Sequence, residues 1–137
     1  MIPKTIEQAF TELDNMLQQD DKQYIIDNGS ISVHNTLGRW IRNNWNLWDE
    51  EPNDLKSLFL KIGISHPDDM SDHIIKWYIH HLNQDDEFYK KEMKIIKDRN
   101  KQDEPNISLD LMKRIAHKSV GFNIAIDTNI KPYYKRK

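Results

Sequence analysis

The chain of 137 residues has no cysteine, only four glycines and five prolines, and no long apolar run. Without cysteine there is no disulfide framework, no thiol nucleophile and no thiolate zinc set, and a reducing compartment fits. Four glycines argue against a turn-rich β fold, and no glycine-rich phosphate loop is present. The opening residues MIPKTIEQAF lack the apolar stretch of a signal peptide. No segment approaches the roughly 18 apolar residues of a membrane span, so the expectation is a cytoplasmic protein with no membrane partner. An excess of one charge is missing too. Twenty Lys and Arg face 22 Asp and Glu, a net charge of −2, which sets up no field to attract nucleic acid. Acidic residues interrupt the basic ones (Lys90, Lys91, Lys94, Lys97), and the tail Lys135-Arg136-Lys137 is short; neither makes the basic face of a nucleic-acid binder.

What the chain does have is charge, 31% of residues, against 37% hydrophobic ones. That balance suits amphipathic helices with solvated outer faces, and the length suits one domain with its own core. Ile6, Ala9, Phe10, Leu13, Met16 and Leu17 predict a helix from Thr5 to Gln18, with Thr5 and Gln8 as a capping box. A short second segment follows Asp20-Asp21 with Tyr24, Ile25 and Ile26, and Asn28-Gly29 ends it. A central helix is expected from Ser32 to Asn46. Asn53 or Asp54 caps the next, which carries Leu55, Leu58, Phe59 and Ile62 and closes at Gly63. Pro67 suits a first helical position, and Asp68 and Asp69 then meet the positive end of the helix dipole. Met70, Ile74, Trp77 and His81 follow as one stripe, with Ile75, Tyr78 and Leu82 beside it.

Beyond Asp85 the apolar positions thin to Phe88, Met93, Ile95 and Ile96. Lys97 to Asn106 reads as a polar loop and Ser108 as the cap of a last short helix. Gly121 to Ile126 reads as a short β pair or irregular return, and Lys131 to Lys137 as a basic tail. The expected fold class is therefore all-α, a single compact domain of five to six helices. Residues 1–84 form its helical core and residues 85–137 a C-terminal add-on.

The most unusual stretch is Leu37 to Trp48, LGRWIRNNWNLW, with three of the four tryptophans, two arginines and three asparagines. Helical spacing puts Asn35, Arg39, Asn43 and Arg42, Asn46 on a polar side. Leu37, Trp40, Ile41, Asn44 and Trp48 fall opposite, with Trp45 flanking them. Gly38 allows a close approach by another helix or a ligand. Its companion is the acidic turn His66-Pro67-Asp68-Asp69-Met70-Ser71. Ten residues form the candidate polar cluster: Arg39, Trp40, Arg42, Asn43, Asn44, Trp45, Trp48, His66, Asp68 and Asp69.

The cluster has two readings. In one it is a pocket, with an arginine fork for a carboxylate or phosphate, tryptophan faces for stacking and asparagines that both donate and accept. In the other it is a structural network, in which Arg42 pairs with Asp68 or Asp69, asparagines cap helix ends and tryptophans fill the core. The tendency of buried polar groups to be paired favours the second. No catalytic, cofactor-binding or metal-binding residue is assigned. Adjacent Asp68 and Asp69 point about 100° apart on a helix, and none of the six histidines is four residues from another. Asp69 and His73 read as a charge-assisted hydrogen bond and His66 as a helix-start residue. No nucleophile motif is present.

The stretches LGRWIRNNWNLW and GISHPDDMSDHII resemble a bacterial family of small domains of unknown function. Its pattern is L-G-x-W-I-R-N-N-W-x-L-W and then G-I-x-H-P-D-D-M-S. The matching residues are Leu37, Gly38, Trp40, Ile41, Arg42, Asn43, Asn44, Trp45, Leu47 and Trp48, then Gly63, Ile64, His66, Pro67, Asp68, Asp69, Met70 and Ser71. The resemblance covers residues 3–82 and implies no activity. The functional expectation is a non-enzymatic binding or interaction module, immunity- or adaptor-like, whose partner is another protein; its oligomeric state is open. The alternative is a small-molecule or anion-binding domain, or a minor enzyme, with Arg42, Asn43 and His66 lining the site. The direction of the Arg42 guanidinium separates the two.

Overall fold

Thr5 starts the first helix: its hydroxyl accepts the Gln8 amide at 3.1 Å, while the Gln8 side chain accepts the Lys4 amide at 2.8 Å rather than that of Thr5, so the expected capping box is half formed. In the computed structural model, which describes residues 1–103, α1 runs Ile6–Met16 and buries Ile6, Ala9, Phe10 and Leu13. Helix α2, Gln19–Asn28, buries Ile25 and stops at Gly29, whose φ of 84° is left-handed backbone.

The central segment departs from the expected single helix. A 3₁₀ turn, Ser30–Val33, leads into a π-type turn, His34–Gly38, and only Arg39–Asn44 is regular α-helix, α3. Val33, Gly38, Ile41, Arg42 and Trp45 are the buried positions. The step of five from Val33 to Gly38 is one that a wide turn accommodates and a 3.6-residue repeat does not. Asn46 at φ 55° then ends the helix, a conformation asparagine tolerates better than most residues. The Leu47 amide donates back to the Arg42 carbonyl at 3.0 Å, which returns Leu47 to the core.

Asn53 caps α4, Asp54–Lys61, by accepting the Lys56 amide at 2.9 Å, and its own amide nitrogen donates to the Trp45 carbonyl at 3.0 Å. One side chain thus joins the end of the Trp-rich segment to the start of α4. Helix α5, Pro67–Leu82, has Pro67 in its first turn and is capped by the His66 ring, which accepts the Asp68 amide at 3.0 Å. It buries Met70, Ile74, Ile75, Trp77 and Tyr78.

Helix α6, Phe88–Asp103, runs through Lys97, where a loop was expected. No glycine or proline lies before Pro105 to stop it, and polarity alone does not end a helix. It contributes Tyr89 and Ile96 to the same core. Glu92 binds it to α5, accepting the Trp77 indole N–H at 2.5 Å and Lys76 Nζ at 3.1 Å.

Residues Met1–Asp98 form one compact unit, with Phe59 stacked on Trp77 at 5.7 Å near its middle. Each fully buried large apolar side chain there contributes about 1.5–3 kcal/mol. The described part is all-α, with six helices and no strand among the described residues. The expected Ser108 helix, the Gly121–Ile126 pair and the basic tail lie outside the described residues.

Candidate functional site

Arg42 points inward. Only 5% exposed, it spends every edge of its guanidinium on the protein. Nη1 donates to Ser71 Oγ at 2.7 Å, Nη2 to the His34 carbonyl at 3.1 Å, and Nε lies 3.3 Å from Asp68 Oδ1. The Ser71 hydroxyl in turn donates to the Asp68 carbonyl at 3.1 Å. The wide turn and the start of α5 therefore meet on one cation. Gly38 has its reason here: a Cβ at that position would lie 3.0 Å from Arg42 Nη1 and 3.4 Å from the Val33 carbonyl. The close approach expected at Gly38 is made by this arginine.

Of the two acids expected opposite Arg42, Asp68 is the one that meets it. The charge-assisted Asp69–His73 bond expected from their spacing is replaced by a backbone one: His73 Nδ1 donates to the Asp69 carbonyl, not to its carboxylate, at 2.7 Å. A carbonyl can only accept, so that ring nitrogen carries its proton.

The rest of the cluster divides. Trp45 is buried, with 1% exposure. Trp40, Asn44 and Trp48, expected on the apolar side, are exposed instead, because the wide turn rotates the register and Ile41, Arg42, Trp45 and Leu47 take the inner positions. Arg39 and Asn43 are exposed as well. Trp48 stands edge-on to His66, ring centres 5.7 Å apart. Asn44 caps its own helix by donating to the Trp40 carbonyl at 2.8 Å.

Trp40, 39% exposed, stands edge-on to buried Trp45 at 5.9 Å. The two indoles line a groove of about 360 Å³ together with Met1, Ile2, Glu12, Asn15, Met16 and Asn44. Sequence reasoning missed the contribution of α1 and the residues before it. The available signal was Met16, near the end of the first stripe, which is the last residue of α1 and exposed.

A second cleft, of about 230 Å³, lies among Glu7, Phe10, Thr11, His81, Asp86, Glu87, Tyr89 and Lys90. Hydrogen bonds hold the ionisable groups of the cleft and of the helices around it. The Tyr89 hydroxyl donates to Glu7 and holds that carboxyl below its usual range. Burial pushes the Asp14 carboxyl up, but hydrogen bonds from Tyr78 and His81 outweigh it and hold it low. Burial likewise opposes the charged form of Glu92, and the bonds from Trp77 and Lys76 outweigh it. Burial and the Asp14 carboxylate both push the Tyr78 phenol up. Among the described residues no three His, Asp or Glu side chains are placed to hold a metal ion. Asp14 and Asp86 both reach His81, but on opposite ring nitrogens, so they diverge.

Among known proteins, the model of a family described as Domain of unknown function (DUF6794) matches residues 2–82. That span ends with α5 and contains both the Trp-rich segment and the acidic turn. No curated protein and no solved structure matches the chain.

Proposed function

The chain belongs to the DUF6794 family, a domain of unknown function, and on that premise we propose that it is a non-enzymatic interaction module. Its docking face is the groove lined by Trp40, Trp45, Met1, Ile2 and Met16. The partner is another protein, which inserts an apolar side chain between Trp40 and Met16 and carries a basic group toward Glu12. The single observation behind this reading is the division of the Trp-rich segment. All three guanidinium nitrogens of Arg42 are engaged inside the chain, so the polar arm acts as scaffold. The aromatic arm is what remains for recognition.

The groove has the composition of a contact surface. Tryptophan and methionine are enriched where proteins meet, and exposed thioethers adapt to the side chain they receive. Trp40 is 39%, Met16 39% and Met1 87% exposed, around a deeply buried Trp45 that gives the groove a rigid floor. An anion at Arg42 would have to displace Asp68 and Ser71 from a side chain already out of water, which disfavours the anion-binding alternative.

The test is photocrosslinking from position 16 in the native host, followed by identification of the trapped protein and direct binding with the purified pair. Binding is expected to be lost in Trp40→Ala and Met16→Glu and kept in Arg39→Ala, whose side chain lies outside the groove. Binding that survives both groove variants overturns the reading.

A further inference from the structure

His81, in the last turn of α5, is placed between two carboxylates that come from different parts of the chain. Its Nε2 lies 3.1 Å from Asp14 Oδ2 on α1, and its Nδ1 lies 2.5 Å from Asp86 Oδ1 in the connection to α6. A neutral imidazole has one N–H and one lone pair. With an acceptor on each nitrogen, a neutral ring would face one carboxylate lone pair to lone pair. The imidazolium serves both. The ring is fixed in place by stacking on Phe10 at 4.8 Å, with Tyr78 at 5.7 Å on its own helix.

We propose that His81 is the pin of a pH-sensitive clasp, which holds the α5–α6 connection against α1 while the ring is doubly protonated and releases it when one proton leaves.

The surrounding charges decide which side opens. On α1, Asp14 has two further partners, the Tyr78 hydroxyl at 2.8 Å and Lys22 of α2 at 3.7 Å, and its side chain is 37% exposed. Asp86 is 65% exposed and borders water. Loss of the contact costs least where water can replace it. The remaining proton therefore stays on Nε2 toward Asp14, and the Asp86 side is released. Glu7 of α1, Glu87 of the connection and Tyr89 and Lys90 of α6 line the same cleft. Glu7 is taken up by Tyr89, while His80 and Asp85 pair at 3.9 Å. Burial lowers the proton affinity of the ring, but Asp86 and Asp14 outweigh it and raise the affinity above the usual histidine value. The clasp is therefore closed at mildly acidic pH and opens as pH rises. The backbone turn beneath it, with the Asp85 amide on the His80 carbonyl at 2.8 Å, does not depend on the ring. What loosens is the stretch 85–87.

Nuclear magnetic resonance of the full chain tests this in one titration. The His81 ring protons are expected to show a midpoint above that of histidine in the same chain unfolded in urea. Asp86→Ala, at an exposed position, should fold normally and shift that midpoint downward. Backbone order at residues 85–87 should fall as pH rises through the midpoint in the parent and stay low throughout in Asp86→Ala. A His81 midpoint at or below the unfolded value overturns the clasp. So does a midpoint unmoved by Asp86→Ala, or order at 85–87 that is constant across the titration.

Discussion

Replacing Gly38 by alanine probes the junction between the two motifs, and its effect should depend on whether Arg42 is present. Gly38 has ordinary helical backbone, with φ −58°, so its conformation does not require glycine. On propensity alone, alanine would stabilise by up to about 1 kcal/mol. The added Cβ, however, would lie 3.0 Å from Arg42 Nη1 and 3.6 Å from Ser71 Oγ. A free arginine tip would swing aside, but this one is held by Ser71, the His34 carbonyl and Asp68. Overpacking of this kind costs about 1–3 kcal/mol, so the substitution should destabilise the parent by roughly 1 kcal/mol. Arg42→Ala alone should cost about 3 kcal/mol. That lies between an exposed pair and a buried one, because Arg42 is 6% exposed at its side chain and Asp68 43%. With Arg42 removed, the clash is gone and Gly38→Ala should become favourable by about 0.5–1 kcal/mol. Urea unfolding of the four chains closes the cycle, with an expected coupling of about 1.5–2 kcal/mol. If Gly38→Ala has the same effect in both backgrounds, the guanidinium does not occupy the space the glycine leaves.

Arg42→Lys should lose most of what Arg42→Ala loses, since a point charge cannot serve three acceptors. Exposed Arg39→Ala should stay within about 0.5 kcal/mol of the parent in the same urea experiment. Stability should be highest between about pH 4.5 and 6.5. The depressed carboxyls of Glu7, Asp14 and Glu92 contribute above their unfolded values and lose that contribution as pH falls through their folded ones. The raised His81 contributes below its unfolded value and loses that contribution as pH rises through its folded one. Urea midpoints across pH check both limbs. A chain ending at residue 84 should keep its helical signal in circular dichroism but unfold at lower urea than the full chain. Without Tyr89, Ile96 and Glu92, the faces of Phe10 and Trp77 lie open.

Local signals were legible wherever a side chain acts on its own backbone. The Thr5 and Asn53 caps, the stop at Gly29 and the first-turn position of Pro67 all depend on residues a few positions apart, and the structure has them where the sequence pattern puts them. An ion pair between Arg42 and the acidic turn was legible because a cation beside an apolar stripe needs an acid, though the choice of Asp68 over Asp69 was not. The register of the Trp-rich segment was not. Its wide turn, His34–Gly38, brings Gly38 and Arg42 against the start of α5, and an assumed 3.6-residue repeat carries Trp40, Asn44 and Trp48 to the wrong side. The groove and the His81 clasp were not legible either. Each joins α1 to a distant part of the chain, Asp14 and His81 being 67 residues apart, and no local periodicity reports such a meeting.

Binding of the captured partner to the folded Trp40→Ala chain tests most directly whether the Trp-rich segment is divided into a scaffold arm and a recognition arm. Trp40 is partly solvated, so this variant should unfold within about 1 kcal/mol of the parent. At equal folded fraction, binding should be lost in Trp40→Ala and intact in Arg39→Ala. Undiminished binding by Trp40→Ala, or loss on Arg39→Ala, would contradict the division and move recognition away from the groove.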